Sequence, residues 1–373
     1  MKIALVHEFL TQFGGAERVL LALKKLYPDA PIYTLVYDSA KMGKWFGNHK
    51  VYTSVIDKLP FSHKFYRAYI LLMPWVIERF DFSGYDLVIS DSSAFAKGII
   101  TRAPTLHISY IHTPTRYLWQ DEKFYIATAV PRVLQPILKP FIPWLRNWDY
   151  KAAQRPDYLL ANSQTVANRV KKYYQRNATP IHSFVDASNF SIGKPKNYYL
   201  LAGRIVPYKR YDIVLEAFAK LGLPLVIAGS GWGERQLQVK NEKLKVTNIK
   251  FLGRVSDKEL AKLYRECQAY MFPALEDFGI APLEAMASGR PVIAYGKGGI
   301  TETVVDGKTG LFFGEQTPEA VIEVVKRFER IKQKFDPRQI RSHALQFDKR
   351  VFKKKFKEYV DRTIADQKGK LWN

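Results

Sequence analysis

The 373-residue sequence holds a single cysteine, Cys267. One thiol excludes an internal disulfide framework and a cysteine-rich zinc site, and fits a reducing cytoplasm. Long apolar runs are also missing. The stretch Tyr69–Ile77 is nine residues and contains Pro74, well short of the roughly 20 residues a membrane-spanning helix needs. A secretory leader is not expected, because the short apolar stretch after Met1 and Lys2 is broken by His7 and Glu8. Acidic residues are scarce as well, at 35 Asp and Glu against 58 Lys and Arg, for a formal net charge of +23. Charge of that size concerns partners rather than fold, and points to anionic lipid headgroups, nucleic acid or polyphosphates.

What is present describes an ordinary soluble globular chain, with 47% hydrophobic and 25% charged residues. The length exceeds what one core usually serves, so two domains are expected. Ile3 to His7 reads as a buried strand, Glu8 to Gly15 as a loop ending in a glycine pair, Ala16 to Tyr27 as an amphipathic helix, and Pro31 to Val36 as the next strand. The same order recurs later: apolar Tyr198 to Ala202, a loop through Gly203 to Arg210, a helix from Tyr211 to Leu221, and Leu223 to Ala228. Two such openings predict two parallel-sheet α/β domains. Further strands are expected at Leu87–Ser90, Leu106–Ile111, Tyr158–Ala161, Ile181–Val185, Ile249–Leu252, Ala269–Phe272 and Pro291–Ala294. A polar break at Ser191 to Asn197 places the boundary, giving domains over 1–192 and 193–349. Ser256-Asp257-Lys258-Glu259 is a capping-box signature.

The densest chemical signal runs from Phe272 to Pro291 and carries Glu276 and Glu284. It follows a strand and enters a short helix, with Pro282 suited to the first turn and Gly289 with Pro291 to the stop. Gly279, Ile280 and Ala281 then present free amides at a helix N-terminus, which favours anions or hydroxyl oxygens. Glu284 is expected in that first turn and Glu276 in the loop before it. Two carboxylates can each accept paired hydrogen bonds from vicinal hydroxyls. Spacing alone favours a capping Glu and a solvated Glu over hydroxyl binders, since acidic residues at helix starts are common.

This stretch, together with Gly298-Gly299-Ile300-Thr301-Glu302 and Asp306-Gly307-Lys308-Thr309-Gly310, resembles the Glu-x7-Glu signature of retaining GT-B glycosyltransferases of family 4. The resemblance spans nearly the whole chain and is strongest from Leu200 to Gly314. It implies two Rossmann-like domains facing each other across a cleft, with a C-terminal helix over 350–373 crossing back to the first. It places Arg204 and Lys209 on the diphosphate of a nucleotide-sugar donor. It also puts Glu276 and Glu284 on donor hydroxyls, with Phe278, Gly279 and Ile280 beside them and Val255 near the base. In the first domain, Gly14-Gly15 is similar to the family's glycine loop over the diphosphate. His112, in His112-Thr113-Pro114-Thr115-Arg116-Tyr117-Leu118-Trp119, resembles the histidine that contacts the transferred sugar. The implied catalytic set is His112, Arg204, Lys209 and Glu276, with no cofactor and no metal. The same His-Thr-Pro segment is similar to bacterial mannosyltransferases of surface polysaccharide synthesis, so GDP-mannose is the first donor expected and a UDP-sugar the alternative. Asp149 and Arg155 match a further family pattern loosely and receive no role.

The acceptor expected from the resemblance is lipid-linked or saccharide. Two segments suit an anionic membrane surface: Lys58 to Arg67, and Pro131 to Tyr150, where Trp144, Trp148 and Tyr150 alternate with Arg132, Lys139, Arg146 and Lys151. Residues 326–373 add 16 Lys or Arg against six Asp or Glu, a net +10. A cytoplasmic protein, peripheral on the membrane face, is expected. Two rival classes are weaker. Gly229-Ser230-Gly231-Trp232-Gly233 follows a strand but lacks the spacing of a dinucleotide fingerprint. No nucleic-acid recognition motif accompanies the charge, so no specific nucleic-acid partner is expected.

Overall fold

The computed structural model describes residues 1–120, 122, 135 and 139–371. The chain divides into two compact units, Met1–Ile181 with Lys355–Asn373, and His182–Lys354. Each is a parallel α/β sheet. The first unit contains β1 (Ile3–Leu10), β2 (Ile32–Tyr37), β3 (Val51–Thr53), β4 (Leu87–Ser92), β5 (Leu106–Ile111), β6 (Tyr158–Ala161) and β7 (Thr179–Pro180), in the order β3-β2-β1-β4-β5-β6-β7. The second contains β8 (Tyr199–Ala202), β9 (Leu225–Ala228), β10 (Ile249–Gly253), β11 (Tyr270–Phe272), β12 (Val292–Tyr295) and β13 (Gly310–Phe313), in the order β10-β9-β8-β11-β12-β13.

Central strands are buried along their length, β4, β5, β8 and β12 at every residue, as parallel sheets covered on both faces require. In each sheet the strand order reverses once, between β1 and β4 and between β8 and β11. Doubly wound sheets bind ligands in the crevice outside the strands' carboxyl ends at such a point.

Three expectations need correction. Strand β1 runs to Leu10 instead of stopping at His7, because His7 and Glu8 are buried and satisfied. Glu8 Oε1 accepts from Ser92 Oγ and from the amides of Ser93, Ala94 and Ala96 at 2.7 to 3.2 Å. The loop is therefore shorter, and the first helix is Gly15–Leu26. The predicted strand Ile181–Val185 is absent; the short strand lies just before it, and Val185 makes only an isolated bridge to Asp348. Strands β3 and β13 went unpredicted. The cap at Ser256 forms, its Oγ accepting from the Glu259 amide at 3.2 Å.

Candidate functional site

In the second unit the predicted residues collect at the β8/β11 switch point. Beyond β8 the chain turns through Gly203 (φ 132°) into the loop that carries Arg204 and Lys209. That loop lies against the one after β9: Ile205 N donates to Ser230 O at 3.0 Å and Gly233 N to Ile205 O at 3.2 Å. A Cβ on Gly229 or Gly231 would fall 1.9 Å from Gly203 O or 2.1 Å from Ile205 O. The Gly229–Gly233 glycines therefore pack the Arg204 loop, which accounts for them without a dinucleotide.

Beyond β11 the chain carries Glu276. Its Oε1 sits 2.9 Å from Lys209 Nζ, so an ion pair spans the switch point. Burial alone would lower the Lys209 pKa, but the Glu276 carboxylate outweighs it and holds the ammonium well above its usual value. The Tyr211 phenol is pushed up to about 12 by burial, which Lys209 opposes and Glu276 reinforces. Arg204 is exposed and makes no hydrogen bond or ion pair among the described residues. It is a guanidinium available to a ligand.

The Glu276 loop is fixed from outside by Gly298-Gly299. Gly299 N donates to Glu276 O at 3.0 Å. A Cβ on Gly298 (φ 81°) would meet Glu276 O at 2.6 Å, and one on Gly299 would meet Asp277 O at 2.1 Å. The glycine pair thus sets where the carboxylate stands.

The helix after this loop is Ile280–Ala287, with Gly279 (φ 89°) turning the chain into it. Its opening amides lack intrahelical acceptors. Glu284 is the fifth residue, one turn further in than expected, and only 6% exposed. The reason is that the helix begins at Ile280 and is buried from Pro282 to Ala287. The neighbouring Tyr264 phenol is raised well above its usual pKa, by burial first and the Glu284 carboxylate second. Phe278 is buried, its ring 5.8 Å from that of His182, so it has mainly backbone to offer a ligand. Val255 is half-buried just after the turn at Gly253 (φ 63°).

In the first unit the β1/β4 switch point holds a chain of ionisable groups of which the sequence revealed only one. His112, just past β5, places Nε2 2.6 Å from Asp91 Oδ1. Asp91, on β4 in register with His7 of β1, places Oδ2 2.9 Å from His7 Nδ1. His7 Nε2 lies 3.5 Å from Glu17 Oε1, and Glu17 Oε2 accepts from the Gly14 amide at 2.7 Å. Asp91 and His7 are buried, Glu17 nearly so, and His112 keeps an exposed edge. Burial would depress the His7 pKa, but Asp91 and Glu17 raise it well above the usual value. Burial would raise Asp91, yet His112 and His7 hold it below the usual carboxylate range. Both carboxylates thus favour the charged form of His7 against its burial. Gly14 gives its amide to Glu17, leaving Gly15 and the next residues as the open amides of this helix start.

The segment after His112 is anchored by Asp149. Its Oδ1 accepts from Lys97 Nζ at 2.6 Å and Thr115 Oγ1 at 2.7 Å, and its Oδ2 from Trp119 Nε1 and Tyr174 OH at 2.7 Å each. Arg155 holds Glu78 Oε1 at 2.6 Å and the Gly98 carbonyl. Both residues that received no role are thus structural anchors. A lone histidine after a strand was legible; its partners, 21 and more residues away, became visible only through strand register.

Comparison with known proteins follows the same division. The family model described as glycosyltransferase family 4 matches residues 13–189, and that described as glycosyl transferases group 1 matches 185–344. The chain belongs to this glycosyltransferase family and is a glycosyltransferase by class. It is 25% identical over 336 residues to an uncharacterized glycosyltransferase of Methanocaldococcus jannaschii, covering 88% of this chain and 90% of that one. It is 28% identical over 204 residues to the D-inositol 3-phosphate glycosyltransferase of Streptomyces avermitilis, covering 46% of this chain and 44% of that relative. The crystal structure of Anabaena HepE in complex with UDP-glucose shares the fold, with a TM-score of 0.71, 19% identity, and coverage of 97% of this chain and all of that one.

Proposed function

We propose that the chain moves a hexosyl group from a nucleotide sugar to a lipid-linked or saccharide acceptor with retention of configuration and without a metal. The observation that carries this reading is the Lys209–Glu276 pair across the β8/β11 switch point, with exposed Arg204 on the Lys209 loop and the amides opening the helix at Ile280. Before the donor binds, Glu276 balances the Lys209 charge. With the donor bound, Lys209 and Arg204 neutralise the diphosphate as it leaves, and Glu276 turns to the sugar hydroxyls. Glu284 accepts from the ribose hydroxyls, and the backbone around Gly253–Val255 takes the base. In the first unit, His112 and the amides after Gly14 are the groups suited to sugar hydroxyls and phosphate oxygens.

In the transfer, the bond from the sugar's anomeric carbon to the diphosphate oxygen breaks. The acceptor hydroxyl oxygen bonds to that carbon on the same face, and its proton passes to the departing phosphate. No covalent sugar–enzyme intermediate is invoked. The cations supply the charge the leaving group needs, so the rate is expected to survive chelation. GDP-mannose is the first donor proposed, with UDP-glucose the comparison.

The acceptor side is supported by a basic, apolar surface on the first unit. Phe61, Phe65, Leu72, Trp75 and Trp144 are all exposed, and the Arg79 guanidinium stacks 3.5 Å over Trp75. Lys58, Lys64 and Arg67 are exposed alongside. Trp148 belongs instead to the interior, donating to Glu78 Oε1 at 2.6 Å. Pro131 and Arg132 lie outside the described residues. We propose that this surface rests on anionic lipid at the cytoplasmic membrane face. No helix among the described residues is long and apolar enough to cross a membrane.

The deciding assay supplies GDP-mannose or UDP-glucose with lipid-linked and soluble saccharide acceptors, measures nucleoside diphosphate release, and reads the product's anomeric configuration by NMR. Inversion would overturn the retaining reading, and absence of release with every donor would overturn the transferase reading.

A further inference from the structure

His112 is fixed from behind by two further groups. Its Nε2 faces Asp91 at 2.6 Å, and its Nδ1 makes no hydrogen bond among the described residues. A histidine's tautomer is set by the partner of one ring nitrogen, which decides what the other presents. Asp91 can hold one tautomer only while its own carboxylate is fixed. Its second oxygen stands 2.9 Å from His7 Nδ1 as an ion pair, while the ring's hydrogen bond from Nδ1 goes to the Asp91 carbonyl at 3.2 Å. On the far side of the ring, Glu17 Oε1 faces His7 Nε2 at 3.5 Å, while the other Glu17 oxygen takes the Gly14 amide. Among the described residues, the ionisable groups set against His7 are Glu17 of the helix Gly15–Leu26 and Asp91 of β4, and His112 past β5 meets Asp91.

We propose that His7 is a positioning residue: clamped between Glu17 and Asp91, it orients Asp91 so that His112 carries its proton on Nε2 and offers Nδ1 as a hydrogen-bond acceptor to a sugar hydroxyl. The same clamp ties the Gly14 turn to His112, so both parts of the first unit's proposed donor contact depend on one ring. The contact to sugar rests on the proposed function; the tautomer does not.

Two near-isosteric substitutions separate the ring's two sides. In His7→Asn the amide nitrogen stands close to the Nδ1 position and keeps the contacts to the Asp91 carbonyl and carboxylate. In His7→Gln it stands near the Nε2 position and keeps only Glu17. Long-range proton–nitrogen NMR on the histidine-labelled full chain reads both rings directly, and seven histidines make a tractable spectrum. The wild type is expected to show His7 protonated on both nitrogens at pH 7 and His112 as the Nε2–H tautomer. His7→Asn should keep that tautomer, while His7→Gln should mix the two. Where transfer is measurable, His7→Gln should lower kcat about tenfold with the donor KM within about twofold, and His7→Asn should keep kcat within about threefold. A neutral His7 or an Nδ1–H His112 in the wild type overturns the proposal without any variant. An unchanged His112 spectrum in folded His7→Gln does so too. The expected NMR with no detectable transfer would leave the clamp standing and remove the transferase reading.

Discussion

Replacing Gly299 by Ala tests how the Glu276 loop is held. The added methyl would lie 2.1 Å from Asp277 O, 2.5 Å from Asp277 C and 2.6 Å from Phe278 Cα, all backbone atoms that cannot swing aside. Reaching an ordinary contact near 3.4 Å requires the loop to move by about 1 Å. The Gly299 amide bond to Glu276 O would move with it. Overpacking of this kind costs about 1–3 kcal/mol of stability. A 1 Å displacement of a group that positions a reacting substrate costs about 10²-fold in rate. Gly314→Ala is the control, because nothing lies within 4 Å of its added methyl. Nucleoside diphosphate release and thermal unfolding should both report a loss for Gly299→Ala and neither for Gly314→Ala. If Gly299→Ala matched the wild type in both, the loop would not be held by this contact.

The remaining expectations concern burial and charge. Lys97→Met leaves the Asp149 carboxylate buried without its cation and should destabilise the first unit by about 3 kcal/mol, lowering its thermal midpoint by roughly 6–12 °C in a scan; a shift under about 2 °C would contradict the anchor. Because the folded-state pKa of His7 is raised, its stabilisation is complete below the unfolded value near 6.5 and is lost as pH rises toward the folded value. Unfolding free energy should therefore fall over that window by up to about 1.4 kcal/mol per pH unit in the wild type relative to His7→Asn, as denaturant titrations at successive pH values will show. Glu284→Ala should weaken nucleotide binding about tenfold or more by calorimetry, exceeding Glu276→Ala, since charged hydrogen bonds are worth about 1.5–3 kcal/mol; equal affinities would end that division of roles. Trp75→Ser with Trp144→Ser should reduce co-sedimentation with anionic liposomes at low salt, and an unchanged bound fraction would contradict the membrane surface.

The sheets were legible because buried parallel strands are continuous apolar runs; Leu106–Ile111 and Tyr158–Ala161 agree at both ends. Strand β1 was cut short at His7 because the charged Glu8 read as the start of a loop, when its carboxylate is satisfied by groups about 84 residues away. The three residues of β3 carry too little pattern to call. Glu276, Arg204 and Lys209 were singled out through motif and chain order, and the structure pairs Lys209 with Glu276. Glu284 was found too but placed a turn early, since sequence does not show where Gly279 turns the chain. Trp144 and Trp148 share one helix, yet one faces out and the other packs on Gly98, where a Cβ would lie 2.6 Å from its ring. Alternation of aromatic and basic residues could not separate them.

The most direct test of the account is nucleoside diphosphate release by the full chain, comparing the wild type with Lys209→Met. The account predicts turnover in the wild type with a nucleotide-hexose donor, and a fall of about 10²- to 10³-fold in kcat when the cation is removed. Turnover at the wild-type rate in Lys209→Met would contradict it.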